Sequence, residues 1–388
     1  MKDFNDFDLN KELLMKIIHT ADLHLDSVMK ANLDKARAKE RRDELTQNFV
    51  RLSLFAHQTG AKAILIAGDL FDDKRVSKQV GKTVLNEINR NADIDYYYLK
   101  GNHDKDSFVN LIKEEGEVPE NLHLFDYEWK KYILNENEGG RKIALYGAEF
   151  SGDNNGFLMN TFHADAEDIN IVMLHGQENE YRGKDTTDII PISEMKGKNI
   201  DYLALGHVHE KKMALLDSRG TYCYPGCLEG RGFDECGDHG FMLLDVNEEN
   251  GDVIAEFIDF ANRKLHHVIV DLTDCESTAK AVELVREKLS SGKYNFKDLV
   301  KIELTGKISE EAEINEEYIL HVFKEDFYFL KVKNSVKVNV DYRKYANDES
   351  LKGWFIRLVE NSEELDEEMK GQVVQMGLRA LSGEEIVQ

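Results

Sequence analysis

Apolar residues in the first half of this chain gather into short runs, at 15–18, 63–67, 96–99, 171–174 and 202–205, broken only by Lys16. Each run ends in a polar turn, and short apolar or aromatic runs bounded by turn residues predict buried strands. Residues 240–245 and 253–260 predict a further strand pair. After a junction at 261–263 the texture changes. Residues 265–272 and 298–304 predict strands, 316–323 a helix, and 277–289 an amphipathic helix presenting Ala279, Val282, Val285 and Leu289 on one face. Residues 327–340 predict a strand or a hairpin turning at Asn334-Ser335, completing a β-α-β-α-β order compatible with a small α+β domain. Two helices, 351–359 and 362–381, are expected to follow, and the acidic run 363–368 reads as a solvated face.

The turns that close the first five runs carry the chemistry. They read Asp22-Leu23-His24, Gly68-Asp69-Leu70-Phe71-Asp72, Gly101-Asn102-His103-Asp104, His175-Gly176 and Gly206-His207-Val208-His209. A carboxylate, imidazole or amide is set repeatedly at the carboxyl end of a core strand, where open sheets carry their sites. Such donors without thiolate suit a hard or borderline divalent ion such as manganese, iron or zinc. Asp22, His24, Asp69, Asn102, His175, His207 and His209 make seven donors, more than one tetrahedral ion takes. Two ions sharing a carboxylate fit better, and Asp69 is the candidate bridge. Paired ions clamp the attacking and leaving oxygens of an in-line displacement at phosphorus. Asp72 and Asp73 read as shaping the turn after Asp69.

The ordered series, D-x-H, G-D-x-x-D, G-N-H-D, a lone His and G-H-x-H across residues 16–209, resembles the calcineurin-like metallophosphoesterases. The resemblance implies an α/β fold: a four-layer metallophosphoesterase β-sandwich flanked by helices. It implies one ion held by Asp22, His24, Asp69 and His209, and another by Asp69, Asn102, His175 and His207. It also implies a catalytic role for His103 at the substrate phosphate and leaving group, with Asp104 orienting it. Two divalent ions are the implied cofactors, manganese first, with magnesium, iron or zinc as alternatives.

A second segment narrows the branch. Residues 221–227 (TYCYPGC), then Gly232-Phe233-Asp234-Glu235 and the strand from Gly240, resemble the DNA-repair exonuclease branch, which includes the SbcD subunit of SbcC–SbcD and the YhaO group. Cys227 stands where that pattern usually has serine, and His239 where it has lysine. The branch implies DNA as substrate, an SbcC-like coiled-coil ATPase packed on a C-terminal helical segment, and dimerisation through helices of the catalytic domain.

Composition changes this picture in one respect. The formal net charge is −24, which repels a polyanion, since nucleic-acid affinity rests on Lys and Arg meeting phosphates. Bound divalent ions offset this locally, and the candidate DNA-facing patch is Lys35, Arg37, Lys39, Arg41 and Arg42; smaller basic clusters lie at 74–75, 211–212 and 343–344. Cys223, Cys227, Cys236 and His239 match no standard zinc spacing, and the four cysteines, Cys275 among them, read as reduced thiols. His19 reads as a packed core residue, His239 as a turn residue, and His57, His123 and His163 have no motif context. No apolar stretch approaches the ~20 residues that span a bilayer, and the acidic start is no secretory leader, so a cytoplasmic location is expected.

The expected organisation is a flexible extension at 1–14, a catalytic domain at 15–262, an α+β capping domain at 263–345 and a helical tail at 346–388. The leading function is a metal-dependent phosphodiesterase acting as a DNA nuclease, an exonuclease in DNA repair, with an SbcC-like partner. A nucleotide or small-molecule phosphodiesterase or phosphatase on the same fold is the alternative. A scaffold that keeps the fold without turnover is the third reading, disfavoured by complete ligand clusters.

Overall fold

The computed structural model describes residues 14–29, 31–72, 76–104, 106–116, 118–135, 140–150, 154–179 and 188–381. The expected N-terminal extension (apart from Leu14), the turn residue Asp73, the basic pair Lys74-Arg75 and the last residues of the tail lie outside them. The chain divides into two compact units, Met1–Lys264 and Leu265–Gln388.

The first unit begins β1 (Leu14–Thr20), α1 (Lys35–Thr59), β2 (Ala63–Ala67), α2 (Lys78–Arg90), β3 (Asp95–Leu99), α3 (Ser107–Glu115), β4 (Leu122–Leu124), β5 (Lys130–Ile133), β6 (Ile143–Gly147) and α4 (Asn155–Thr161). It continues β7 (Ile169–His175), β8 (Gln177–Glu178), β9 (Ile189–Ile190), α5 (Ile192–Met195), β10 (Tyr202–Gly206), β11 (Lys212–Leu215), β12 (Thr221–Tyr224), β13 (Gly240–Asn247) and β14 (Val253–Asp259). Two six-stranded sheets result, ordered β14-β13-β1-β2-β3-β4 and β11-β12-β10-β7-β6-β5.

The apolar runs are explained by what covers them. Ile18, Ile64, Ile66, Tyr96 and Tyr98 face Leu45, Phe49 and Leu52 of α1, Val84 and Ile88 of α2, and Phe108 of α3. Alternate residues of the same strands, Ile17, Leu65 and Tyr97, meet Leu145, Ile171, Met173 and Ala204 of the other sheet. That sheet's outer positions, Val172, Leu174, Leu203 and Leu205, pack on Leu158 and Met159 of α4 and Ile192 and Met195 of α5. The layers are helix, sheet, sheet, helix. Strands covered on both faces have no solvent side and so no polar alternation.

Helix α1 starts where Asp34 accepts from the N–H groups of Ala36 and Arg37, both at 3.0 Å, and stops at Gly60, whose φ of 73° is cheap only for glycine. Its basic residues do not form one outward patch. Lys35, Arg37, Lys39 and Arg42 are exposed, with Arg37 paired to Asp34 (2.9 Å) and Arg42 to Asp26 (2.5 Å). Arg41 is buried, 1% exposed, which corrects its expected place in a DNA-facing patch. Its guanidinium donates to Glu44 (2.6 Å), Glu229 (2.7 Å) and the Gly230 carbonyl (2.9 Å). Glu229 also accepts from Asn48 (2.7 Å) and the N–H groups of Asn262 (2.6 Å) and Arg263 (3.1 Å). One buried carboxylate therefore ties α1, the chain after β12 and the end of β14 together.

The second unit runs β15 (Leu265–Asp271), α6 (Thr278–Ser290), β16 (Leu299–Thr305), β17 (Lys307–Ser309), α7 (Glu316–Phe323), β18 (Phe329–Asn334), β19 (Lys337–Asn339), α8 (Leu351–Glu360) and α9 (Glu367–Leu381). Strands β15, β16 and β18 form a parallel sheet. Where residues 327–340 predicted a strand or hairpin, β19 instead pairs parallel with β17, a strand that the pattern did not indicate. The buried residues of α6 are Ala281 and Val285, so its core face is rotated from the expected stripe and Ala279 is exposed.

Replacing Arg41 with methionine strands the buried Glu229 carboxylate and should cost about 3–5 kcal/mol in urea unfolding. Lys39→Ala, on the exposed face, should stay within about 0.5 kcal/mol. Equal, small losses in both would mean that the buried pair adds no specificity to the fold.

Candidate metal centre

Parallel pairing of β1, β2 and β3, and of β7 and β10, points their carboxyl ends to one rim. The turns there are laced by backbone bonds: Asp22 N–H to Gly68 O (3.1 Å), His24 N–H to Asp69 O (3.0 Å) and Gly176 N–H to Gly206 O (3.1 Å). Turning donors inward takes backbone that most residues avoid. Asp22, His24, Asp69 and His207 have φ of 53°, 46°, 51° and 99°, positions that cost energy and persist where surrounding structure enforces them. Gly101 makes room in the same way. A Cβ there would collide with Asp69 Oδ1.

The seven expected donors converge. Asp22, His24 and His209 form one group, and Asp22, Asp69 and His175 another. His24 Nε2 lies 3.0 Å from His209 Nε2 and 3.8 Å from Asp69 Oδ2. His175 Nε2 lies 3.5 Å from Asp69 Oδ2. Asn102 Oδ1 is 3.0 Å from His175 Nε2 and 3.1 Å from His207 Nδ1. The His207 backbone N–H donates to Asp22, at 3.1 and 3.0 Å to its two oxygens.

The imidazoles are set from behind. His175 Nδ1 donates to the Ala67 carbonyl (2.9 Å) and His209 Nδ1 to Glu235 (2.8 Å). His24 Nδ1 lies 3.1 Å from Asp72 Oδ1. Such outer acceptors orient the rings and aim the opposite nitrogen inward, where a cation would take the place of any proton that it carries. Burial pushes the His24 imidazole down to about 4, so it is a neutral donor at physiological pH. Imidazole, carboxylate and amide donors aimed at one volume without thiolate fit hard or borderline divalent cations.

His103 is half-exposed on the rim, and its backbone N–H donates to Asp69 Oδ1 (3.0 Å). Its Nδ1 lies 3.2 Å from Asp72 Oδ1, and that carboxylate raises the imidazole above its ordinary pKa. Asp104, expected to orient His103, does something else. It is buried, and its carboxylate accepts from the N–H groups of Leu70 (3.2 Å), Phe71 (2.9 Å) and Gly101 (3.0 Å). Burial and the Asp69 charge push it up to about 7. Asp104 builds the two loops, and Asp72, read from sequence as a turn residue, is the carboxylate at His103.

Two more residues escaped the sequence reading. Arg231 Nη1 lies 3.5 Å from Asp72 and its Nη2 3.0 Å from Glu235, bracing both outer carboxylates. They belong to the segment after Cys227 that carried the branch resemblance, which was the available signal. Its two departures touch each other: Cys227 Sγ lies 3.2 Å from His239 Nδ1, and both are buried. His239 is thus a core residue, correcting the turn reading. His19 is buried as expected, with Nδ1 2.9 Å from the Tyr202 hydroxyl.

A family profile described as calcineurin-like phosphoesterase matches residues 15–211. The chain is 29% identical over 293 residues to the uncharacterized metallophosphoesterase YhaO of Bacillus subtilis, covering 71% of this chain and 68% of that protein. It is 23% identical over 313 residues to the DNA double-strand break repair protein Mre11 of Sulfolobus acidocaldarius, covering 76% of each. The Mre11 of Methanopyrus kandleri is 24% identical over 268 residues, 63% of this chain and 57% of that protein.

Removing the carboxylate behind His209 should loosen cation binding without unfolding the sandwich. Glu235→Ala is expected to weaken divalent-ion affinity by about 10–100-fold in a calorimetric titration, with an unchanged far-ultraviolet spectrum. Wild-type affinity in this variant would remove Glu235 from the centre.

Proposed function

The chain belongs to the calcineurin-like phosphoesterases, and on that premise we propose that it is a manganese-dependent DNA nuclease, an exonuclease working with an SbcC-like coiled-coil ATPase. The observation that carries the reading is two donor groups that share Asp22, with Asp69 Oδ2 3.8 Å from His24 in one and 3.5 Å from His175 in the other, beside a half-exposed His103. One ion would be held by Asp22, His24, Asp69 and His209, the other by Asp69, Asn102, His175 and His207. Bound divalent ions supply Lewis acidity toward a phosphoryl oxygen and lower the pKa of water. Carboxylate, amide and imidazole donors without sulfur suit manganese, iron or zinc and disfavour soft ions.

The chain's own residues do the remainder. Asp72 at Nδ1 holds the His103 ring and favours its protonated form. From that position His103 delivers a proton to the departing oxygen as the ester bond breaks. Ser27 Oγ, 2.6 Å from Asp72 Oδ2, and Arg231 keep the carboxylate from rotating away.

DNA as the substrate is supported by the relatives that are named as double-strand break repair proteins. The ATPase partner is supported by α8, whose Leu351, Trp354 and Leu358 are 71%, 66% and 73% exposed. Spaced three and four residues apart, they make an apolar stripe of the kind that docks on another helix. Double serine substitution at Trp354 and Leu358 should weaken capture of the coiled-coil partner by more than about tenfold, as expected for a central aromatic anchor. Capture equal to wild type would remove α8 from the partner interface.

The decisive assay compares labelled DNA with a small chromogenic phosphodiester, in manganese, magnesium or chelator. Manganese-dependent DNA cleavage is expected, lost together with bound metal in Asp69→Ala. His103→Ala should keep its metal and lose about 10²–10⁴ in kcat. Turnover of the small diester with DNA left intact, even beside the ATPase, would favour the nucleotide-phosphodiesterase reading. Full activity in His103→Ala would sink the assigned proton donor.

A further inference from the structure

Beside Asn102 the surface opens into a cavity of about 270 Å³. Its walls include Lys100, Asp106, Tyr127, Glu149, Phe150 and Asp188. Asn102 lines it too, while its Oδ1 lies 3.0 Å from His175 Nε2, so the cavity adjoins the candidate metal centre directly.

The wall chemistry is unlike a phosphate site. Apart from Asp104, which is spent on backbone N–H groups, three carboxylates, Asp106, Glu149 and Asp188, face a single lysine. That lysine is already engaged, its Nζ 2.9 Å from Asp106 and 3.2 Å from Glu149. A phosphate here would meet net negative charge, whereas a neutral heterocycle would not. Amino and imino groups on such a ring are donors, and ionised carboxylates are acceptors only.

Tyr127 supplies the face. It is 53% exposed, and its backbone is anchored: its N–H donates to Asp126 (2.8 Å) and its carbonyl accepts from Asn154 (3.3 Å). Lys100 Nζ lies 5.7 Å from the ring centroid. An exposed aromatic ring carried on an anchored stretch of backbone is a stacking platform for a base. The volume is below the range of drug-sized ligand pockets and leaves room for one base, not a base pair.

We infer that this cavity is the subsite for a single unpaired nucleobase, stacked on Tyr127, whose own phosphate lies beside Asn102 and His103. The inference rests on the nuclease reading and deepens it. A duplex has to fray, or arrive single-stranded, for its reacting nucleotide to be seated.

The test uses the full chain and phosphorothioate-linked hexanucleotides carrying 2-aminopurine at one end or the other, since stacking quenches that fluorophore. Wild type and Tyr127→Phe should quench one of the two probes. Tyr127→Ala should abolish the quench and weaken binding about 5–150-fold, the range for one lost base stack. Quenching and affinity in Tyr127→Ala equal to wild type, bound probe without quench, or no binding by wild type would each overturn the subsite. Manganese-dependent cleavage of labelled, phosphodiester-linked DNA by the same preparation judges the nuclease reading separately. A Tyr127-dependent quench without any hydrolysis keeps the base subsite and overturns the chemistry. Hydrolysis without that quench does the reverse.

Discussion

A carboxylate buried between two sheets stays charged only if positive charge comes to it, because a bare anion in a low-dielectric interior is too costly. Asp69 is in that position, 1% exposed at the end of β2. Burial alone would raise its pKa, yet His175 and its neighbours hold it well below the usual carboxylate range. The reciprocal effect appears on His175, raised to about 10 by Asp69 although burial pushes it down. Without cations it is the His175 imidazolium that offsets the Asp69 charge. A bound divalent ion would displace the His175 proton, which makes cation affinity pH-dependent.

That requirement explains the cost accepted around Asp69. Four donors sit at positive φ, and the glycine at 101 gives up a side chain to let Asp69 pass. Strain of this kind survives only where the surroundings over-determine it, and here they do. Asp104 clamps three backbone N–H groups, while Arg231 ties Asp72 to Glu235. The loop after β12 thus serves two masters, bracing the imidazoles through Arg231 and Glu235 and the first helix through Glu229.

Strand runs and turn donors were legible because each reports a local rule. Ala63–Ala67 reads as a buried strand from five residues, and Asp69 follows from the turn beyond it. What stayed hidden was long-range. Nothing near Asp72 says that His103, thirty-one positions on, will lie against it rather than Asp104, its immediate neighbour. Arg41 looked like one basic residue among five, and only Glu229, 188 positions away, makes it a core residue. Likewise β19 chose β17 over the adjacent β18, a choice set by sheet packing and not by the turn at Asn334-Ser335.

Charge then limits how a substrate could be engaged. A chain at −24 has to concentrate attraction where chemistry happens, and its exposed arginines near the rim are already neutralised, Arg42 by Asp26 and Arg37 by Asp34. On the proposed nuclease reading, two divalent ions are then the main anchor for the reacting phosphate. Flanking phosphates gain little from this surface, so affinity along the strand has to come from a second protein. The same arithmetic favours recognition through uncharged parts of the nucleotide. A base can enter a carboxylate-lined cavity that excludes its neighbouring phosphates, and that exclusion sets the register of the strand at the centre. Acidity that looks like an obstacle to binding a polyanion becomes, at this range, a way of deciding which part of it goes where.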